Sequence, residues 1–166
     1  MDGLTIRPLE ETDIAWAEGL LGAAFGGRNQ ARLGVLVDVL AGAGLVAEVD
    51  GRPAGVVTYQ QDGDGVEISY LETVLRGSGI GTELVDAVER ETGASRLWLV
   101  TTNDNLDALR FYQRRRFRIS QVRPGAVDVA RRSLKPTIPE VGRFGIPIRD
   151  EIILERRHSG ATNTKD

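Results

Sequence analysis

The 166-residue chain contains no cysteine and a single histidine, His158, which sits in a polar C-terminal stretch. Without cysteine there is no disulfide, no thiol nucleophile and no thiolate metal site. With one remote histidine, a Ser-His-Asp triad, a Cys-His pair and a His-ligated zinc site all lose their parts. Acid–base chemistry therefore falls to carboxylates, tyrosine, lysine or water, and no metal is expected. Lysine is nearly missing too: Lys135 and Lys165 are the only two, and arginine carries the basic charge. No run approaches ~18 consecutive apolar residues, and the opening residues lack a basic segment followed by an apolar core. These absences predict a cytoplasmic protein with no membrane partner. A net charge of −3 argues against a dedicated nucleic-acid binder.

What is present fits an ordinary globular chain, with 41% apolar and 27% charged residues. The length predicts one domain, residues 1–158, followed by a frayed tail over 159–166. "LTIRPLEETD" alternates as a strand does, and Asp13 is placed to cap a helix with apolar Ile14, Ala17, Leu20, Leu21 and Ala24. "GGRNQ" breaks that helix, and Ala31 to Leu40 reads as a second amphipathic one. Three strands of a meander follow, the first two joined at Asp50-Gly51 and the third reading "VEISYLETVL". A glycine-rich loop, a helix from Thr82 to Thr92 and the apolar strand "RLWLVTT" come next. The remainder gives a helix ("LDALRFYQRRRF"), a strand ("RISQV"), a short helix ("GAVDVARRSL"), a proline-rich loop and a closing strand ("IRDEIILERR"). The order predicts a mixed α/β domain.

"LRGSGIGTELV" places Gly77, Gly79 and Gly81 within five positions at the mouth of a helix. Such a cluster lets backbone approach a ligand closely, and a helix N-terminus presents unpaired N–H groups and a positive dipole end to phosphate. A P-loop requires a Gly-Lys pair, which the chain lacks. A dinucleotide fingerprint fails by one residue, because Thr82 stands where its third glycine belongs.

The pattern Arg76-x-x-Gly79-x-Gly81 resembles the acyl-CoA loop of the Gcn5-related N-acetyltransferase family (R/Q-x-x-G-x-G/A). Downstream, Asn105, Ala108, Phe111, Tyr112 and Phe117 fall in register with that family's N-x-x-A-x-x-F-Y-x-x-x-G-F segment. One helix and one buried strand separate the two blocks, as in the family. The resemblance covers Leu4 to about Gln121 in element order, and reaches Leu154 with the last strand. It implies an acyl-CoA N-acyltransferase fold, a central mixed sheet of about seven strands flanked by helices. It implies acetyl-CoA as acetyl donor, with Arg76 and the amides of Gly77, Ser78, Gly79, Ile80, Gly81 and Thr82 around the pyrophosphate. Pantetheine would add like a strand along the end of "SYLETV", bringing in Leu71 and Thr73, beside a splay between that strand and the next. A phase slip near residues 70–71 fits a β-bulge there, as it fits a fraying strand end.

Acetyl transfer to an amine asks that the acceptor lose a proton and that the leaving thiolate gain one. An alkyl amine of pKa ~10.4 is almost entirely protonated at neutral pH, so a carboxylate, directly or through water, is the fitting base. By resemblance Glu67 takes that role, matching the glutamate of the family's histone-modifying branch, with Glu72 as runner-up. Tyr112 resembles the family's general acid, and Asn105 bonds backbone or cofactor near the pantetheine. The family carries glycine where this chain has Arg116, so a left-handed helix end there would cost on the order of 1 kcal/mol. Arg110, Arg114, Arg115, Arg116 and Arg118 form the one basic run, a solvated face or a contact for the adenosine 3′-phosphate. The acceptor is expected to be a small-molecule or peptide amine, in a pocket walled by "GGRNQ" and the long segment before the closing strand. Asp128, Glu140, Asp150 and Glu151 are the acidic residues placed to meet it. A homodimer stays open, as do two other readings: an acetyl-CoA-binding module without transfer, and a nucleic-acid binder using the arginines.

Overall fold

A computed structural model describes residues 3–158, with only the backbone of residues 23–25; the tail expected over 159–166 lies outside the described residues. The strands are β1 (Leu4–Pro8), β2 (Asn29–Arg32), β3 (Val35–Asp38), β4 (Ala43–Val49), β5 (Arg52–Asp62), β6 (Gly65–Thr73), β7 (Arg96–Thr102), β8 (Arg118–Arg123) and β9 (Glu151–Arg157). The α-helices are α1 (Ile14–Phe25), α2 (Ile80–Thr92), α3 (Leu106–Gln113) and α4 (Ala126–Ser133). Seven strands form one mixed sheet in the order β1-β4-β5-β6-β7-β9-β8, and β2 and β3 form a separate hairpin.

Alternation along the central strands divides the core in two. Leu45, Ala47 and Val57 face the cluster built on α2, whereas Val46 and Val56 face the cluster built on α1. On α2, Ile80, Leu84, Val85 and Val88 are fully buried at helical spacing. Each such side chain contributes roughly 1.5–3 kcal/mol on leaving water, which fixes α2 and its glycine-rich N-terminus against the sheet. The helix begins at Ile80, two residues before the expected Thr82, and ends at Gly93 in the left-handed region (φ 61°).

Two sequence expectations are corrected. Residues 31–40 are no helix: Asn29–Arg32 and Val35–Asp38 pair antiparallel around Leu33 and Gly34, both left-handed (φ 49° and 79°). Those angles are those of a two-residue hairpin turn, and the strands' short alternation mimics a helical period over so few residues. Asp13 does not cap α1 with its side chain. Its buried carboxylate instead receives Arg7 at 2.7 and 2.9 Å and the Glu10 N–H at 2.9 Å, tying α1 to β1.

The parallel pairing of β6 with β7 runs only from Gly65–Arg96 to Glu67–Trp98, after which the strands part. A bulge accompanies the parting. Tyr59 pairs with Ile68 and Thr58 with Tyr70, so Ser69 is the extra residue, one position before the expected slip. It turns the strand over: Val66 and Ile68 face the α2 core, Tyr70 the α1 core.

Candidate active site

The loop after β6 leads into α2 through Gly77 and Gly79, both left-handed (φ 74° and 85°), a conformation that glycine adopts without a Cβ penalty. Thr82 and Glu83 donate their N–H groups to Gly79 O at 3.0 and 3.1 Å. Among the described residues, the N–H groups of Gly77 through Gly81 meet no protein acceptor. Thr82 is thus consumed by the helix itself, and its hydroxyl accepts from Arg115 Nε at 2.7 Å. Gly81 plays a different part from the one its motif position suggests. It lies inside α2, and a Cβ there would stand 3.1 Å from Phe111 Cε2. Its smallness lets α3 pack on α2.

Around this loop opens a cavity of about 600 Å³, into which Leu71, Thr73, Arg76, Gly77, Ser78 and Gly79 project, with Gly81, Asn105 and Tyr112 completing the expected set. Two expected residues do not line it: Ile80, whose side chain points into the core at 0% exposure, and Thr82, whose hydroxyl is held by Arg115. Five arginines, Arg76, Arg110, Arg114, Arg115 and Arg143, line the cavity against two carboxylates, Glu72 and Asp107. Asp107 gathers Arg76 (3.4 Å), Arg110 (3.5 Å) and Arg143 (3.9 Å). Arg116 and Arg118 take no part. Arg116 is left-handed (φ 66°), and Phe117 N–H donates to Tyr112 O at 3.1 Å while Arg116 N–H donates to Gln113 O at 3.2 Å. That pair of bonds is a Schellman ending, built here on an arginine. The unpaired amides, the dipole of a thirteen-residue helix and the arginine excess suit a phosphorylated ligand.

A second cavity, of about 220 Å³, opens on the other side of the β6–β7 split. Leu71, Asn105, Ala108 and Tyr112 line both cavities. Asn105 is fixed at this shared wall: its Oδ1 accepts the Ala108 N–H at 3.3 Å, capping α3, and its Nδ2 donates to Thr101 Oγ1 at 3.2 Å. Tyr112 is packed edge-on between Phe111 and Phe117 (centroids 4.9 and 5.1 Å). Burial pushes its phenol well above the ordinary range, with Arg115 opposing and Glu72 reinforcing the rise.

The polar groups on the remaining walls of the smaller cavity come from Gln30 and Arg32 of the hairpin, Ser69 and Tyr70 at the bulge, Thr101 and Thr102 of β7 and Glu151 of β9, set among apolar Leu21, Val39, Ile68 and Leu99. Of the four acidic residues expected at the acceptor, only Glu151 lies here. Asp128 pairs with Arg131 (2.8 Å), and Asp150 accepts the Gly125 N–H (2.8 Å). Glu140 lines neither cavity. Glu67 is buried and ion-paired to Arg32 at 2.7 Å, lining neither cavity itself. Burial raises its pKa and Arg32 opposes the rise. Glu72 stands in the larger cavity.

Arg143, Arg32, Ser69, Thr101 and the importance of Glu151 escape sequence reasoning. Arg143 reaches the cavity because Asp104 Oδ2 accepts its N–H at 3.0 Å, and Asn103 Oδ1 accepts from Arg149 and Asp150 (2.9 and 3.0 Å).

Residues 15–117 match the family model described as the acetyltransferase (GNAT) family. The uncharacterized protein YdhI of Bacillus subtilis (strain 168) is 44% identical over 122 residues, 72% of this chain and 75% of that one. A GNAT family acetyltransferase from Elizabethkingia anophelis, solved with acetyl-CoA bound, superposes with a TM-score of 0.72 at 22% identity, over 95% of this chain and 100% of that one. The IAA acetyltransferase from Bacillus cereus ATCC 14579 gives 0.69 at 25% identity, covering 93% and 99%. Among the described residues, no helix is long and apolar enough to cross a membrane. The chain belongs to the GNAT acetyltransferase family.

Proposed function

We propose that the protein is a cytoplasmic, bacterial N-acetyltransferase of one domain, residues 1–158, that moves an acetyl group from acetyl-CoA to a primary amine by direct attack. The observation that carries this reading is the wall shared by the two cavities, where Tyr112, the one phenol among the described residues that lines both, stands between a phosphate-suited cleft and a smaller, mostly apolar pocket with a few polar groups. Acetyl-CoA supplies an activated thioester and a thiolate leaving group. The residues present fit it: unpaired amides from Gly77 to Gly81 and the arginine rim face phosphate, and Leu71 and Thr73 border the cleft beside the parted strand.

Tyr112 holds a proton at its hydroxyl and delivers it to the departing sulfur. Burial raises its pKa, so the hydroxyl keeps its proton at neutral pH until a developing thiolate takes it. Asn105 orients the shared wall. Glu67, whose carboxyl burial makes more basic, removes the amine proton through intervening water, since it lines neither cavity. Glu72 faces the donor side and is the lesser candidate.

Calorimetric titration with acetyl-CoA, followed by thiol release across amines of graded pKa, tests the reading. Binding at one site with turnover is expected, and Glu67→Gln loses most rate on the most basic acceptors. Absence of acetyl-CoA binding would overturn the reading; binding without turnover on any amine would leave a binding module instead.

A further inference from the structure

The smaller cavity carries a buried cation that the transfer chemistry does not use. Arg32 is 8% exposed, lines the cavity, and is engaged by Glu67 Oε1 through Nε. Among the described residues its two terminal nitrogens meet no protein acceptor. A guanidinium presents those nitrogens as a planar fork that matches the two oxygens of a carboxylate. Ser69 Oγ, placed on the same cavity by the bulge, is also buried without a partner. The other charged wall is already satisfied: Glu151 accepts the Leu33 N–H at 3.2 Å on both oxygens and Arg123 Nη1 at 2.9 Å. The unmet capacity of this cavity is therefore donor capacity, the opposite of what a polyamine would need.

We infer that the acceptor is a small amine carrying its own carboxylate, which the terminal nitrogens of Arg32 grip with Ser69 Oγ as a further donor while the amine faces Tyr112. The inference rests on the N-acetyltransferase reading above. A volume of about 220 Å³, the share of roughly seven waters, has room for a ligand the size of an amino acid. Glu67 on Nε and the ligand on the opposite edge would then share one guanidinium, placing the base and the substrate on a common anchor.

The test uses the full chain saturated with coenzyme A and matched N-acetyl amino acids and their carboxamides, titrated by calorimetry. Thiol release with free amino acids, amino amides, diamines and aminoalkylphosphonates of equal length completes it. Carboxylates are expected to bind at least about tenfold tighter than carboxamides. Arg32→Gln should shrink that ratio to within about threefold and Arg32→Lys should keep part of it, with acetyl-CoA affinity unchanged in both. Should Arg32→Gln unfold, Ser69→Ala, which loses no protein partner, should still weaken the carboxylates about threefold. Equal binding of carboxamides, a preference for phosphonates or diamines, or no binding by any pair would overturn the inference. A failure to bind acetyl-CoA would count against the reading beneath it instead.

Discussion

The two cavities are built in different ways although they share a wall. The larger one is made by two neighbouring pieces of chain, 71–81 and 105–115, with Arg143 added from the segment before β9. It presents main-chain amides and arginines held loosely at the rim, Arg76 being 70% exposed. The smaller one gathers single side chains from α1, the hairpin, β6, β7, α3 and β9, and its charges are buried in pairs. Backbone recognition of a common anion needs little sequence and tolerates change around it. Side-chain recognition of one small molecule needs many elements in place at once, and it is the part free to differ among proteins of one fold.

Gly79→Val should produce the largest effect. A β-branched residue at φ 85° is strained, and its side chain would enter the space beside the open amides. We expect acetyl-CoA affinity to fall at least about a hundredfold with native circular dichroism, since an anion site at a helix N-terminus cannot be rebuilt from elsewhere. Unchanged calorimetric affinity would remove the loop from the donor site.

Gly81→Val sharpens the contrast within the same motif. Its Cβ meets the Phe111 ring at 3.1–3.2 Å, so overpacking between α2 and α3 should cost about 1–3 kcal/mol in denaturant unfolding. Donor affinity should suffer less than in Gly79→Val. Full stability together with lost binding would mean that residue 81 faces phosphate.

Acid should separate the two walls. Arg7 holds Asp13, and Arg28 holds Asp38, below the ordinary carboxylate range, and both pairs support the α1 and hairpin side of the smaller cavity. A carboxylate whose folded pKa lies below its unfolded value of 3.8 stabilises fully above that value, and the stability is lost as pH falls through the lower, folded value. Glu67, shifted upward by burial, acts in the opposite sense, its charge costing stability at neutral pH. Hydrogen exchange is expected to show the amides of residues 29–38 losing protection below about pH 4 before the hydrogen-bonded amides within α2. Loss of protection in α2 first would contradict this order.

Arg116→Gly gives the smallest change and the one with a gain. The Schellman ending holds an arginine at φ 66°, so glycine should raise stability by a few tenths to about 1 kcal/mol. A fall in Tm would mean that the arginine's other contacts outweigh the strain.

These contrasts also explain what could be read in advance. The lining of the larger cavity was legible because its parts are consecutive: the arginine, the glycines, and an asparagine seven residues before a tyrosine all keep fixed spacing within single elements. Individual strands followed from alternation and from the Asp50-Gly51 turn, whose residues are both left-handed in the structure, and the seven-stranded sheet from the family resemblance. The acceptor side was not legible, because Arg32, Ser69, Thr101 and Glu151 meet only through the fold. Leu33 compounded this by occupying a left-handed turn position, which conceals a hairpin that Asn or Asp would have announced. Gly81 shows the converse: it lines the larger cavity as its motif position suggests, but its packing against the Phe111 ring could not be read from the motif.

Tyr112→Phe tests most directly whether the shared wall is where the chemistry occurs. The ring and its packing against Phe111 and Phe117 are kept, and only the hydroxyl with its proton is lost. With an accepted amine and chemistry rate-limiting, kcat should fall about 10²–10⁴-fold, equivalent to roughly 3–5 kcal/mol of barrier, while the calorimetric Kd for acetyl-CoA stays within about threefold of wild type. A variant that keeps more than about a third of wild-type turnover would contradict the account, because the group standing between the two cavities would then have no part in the transfer.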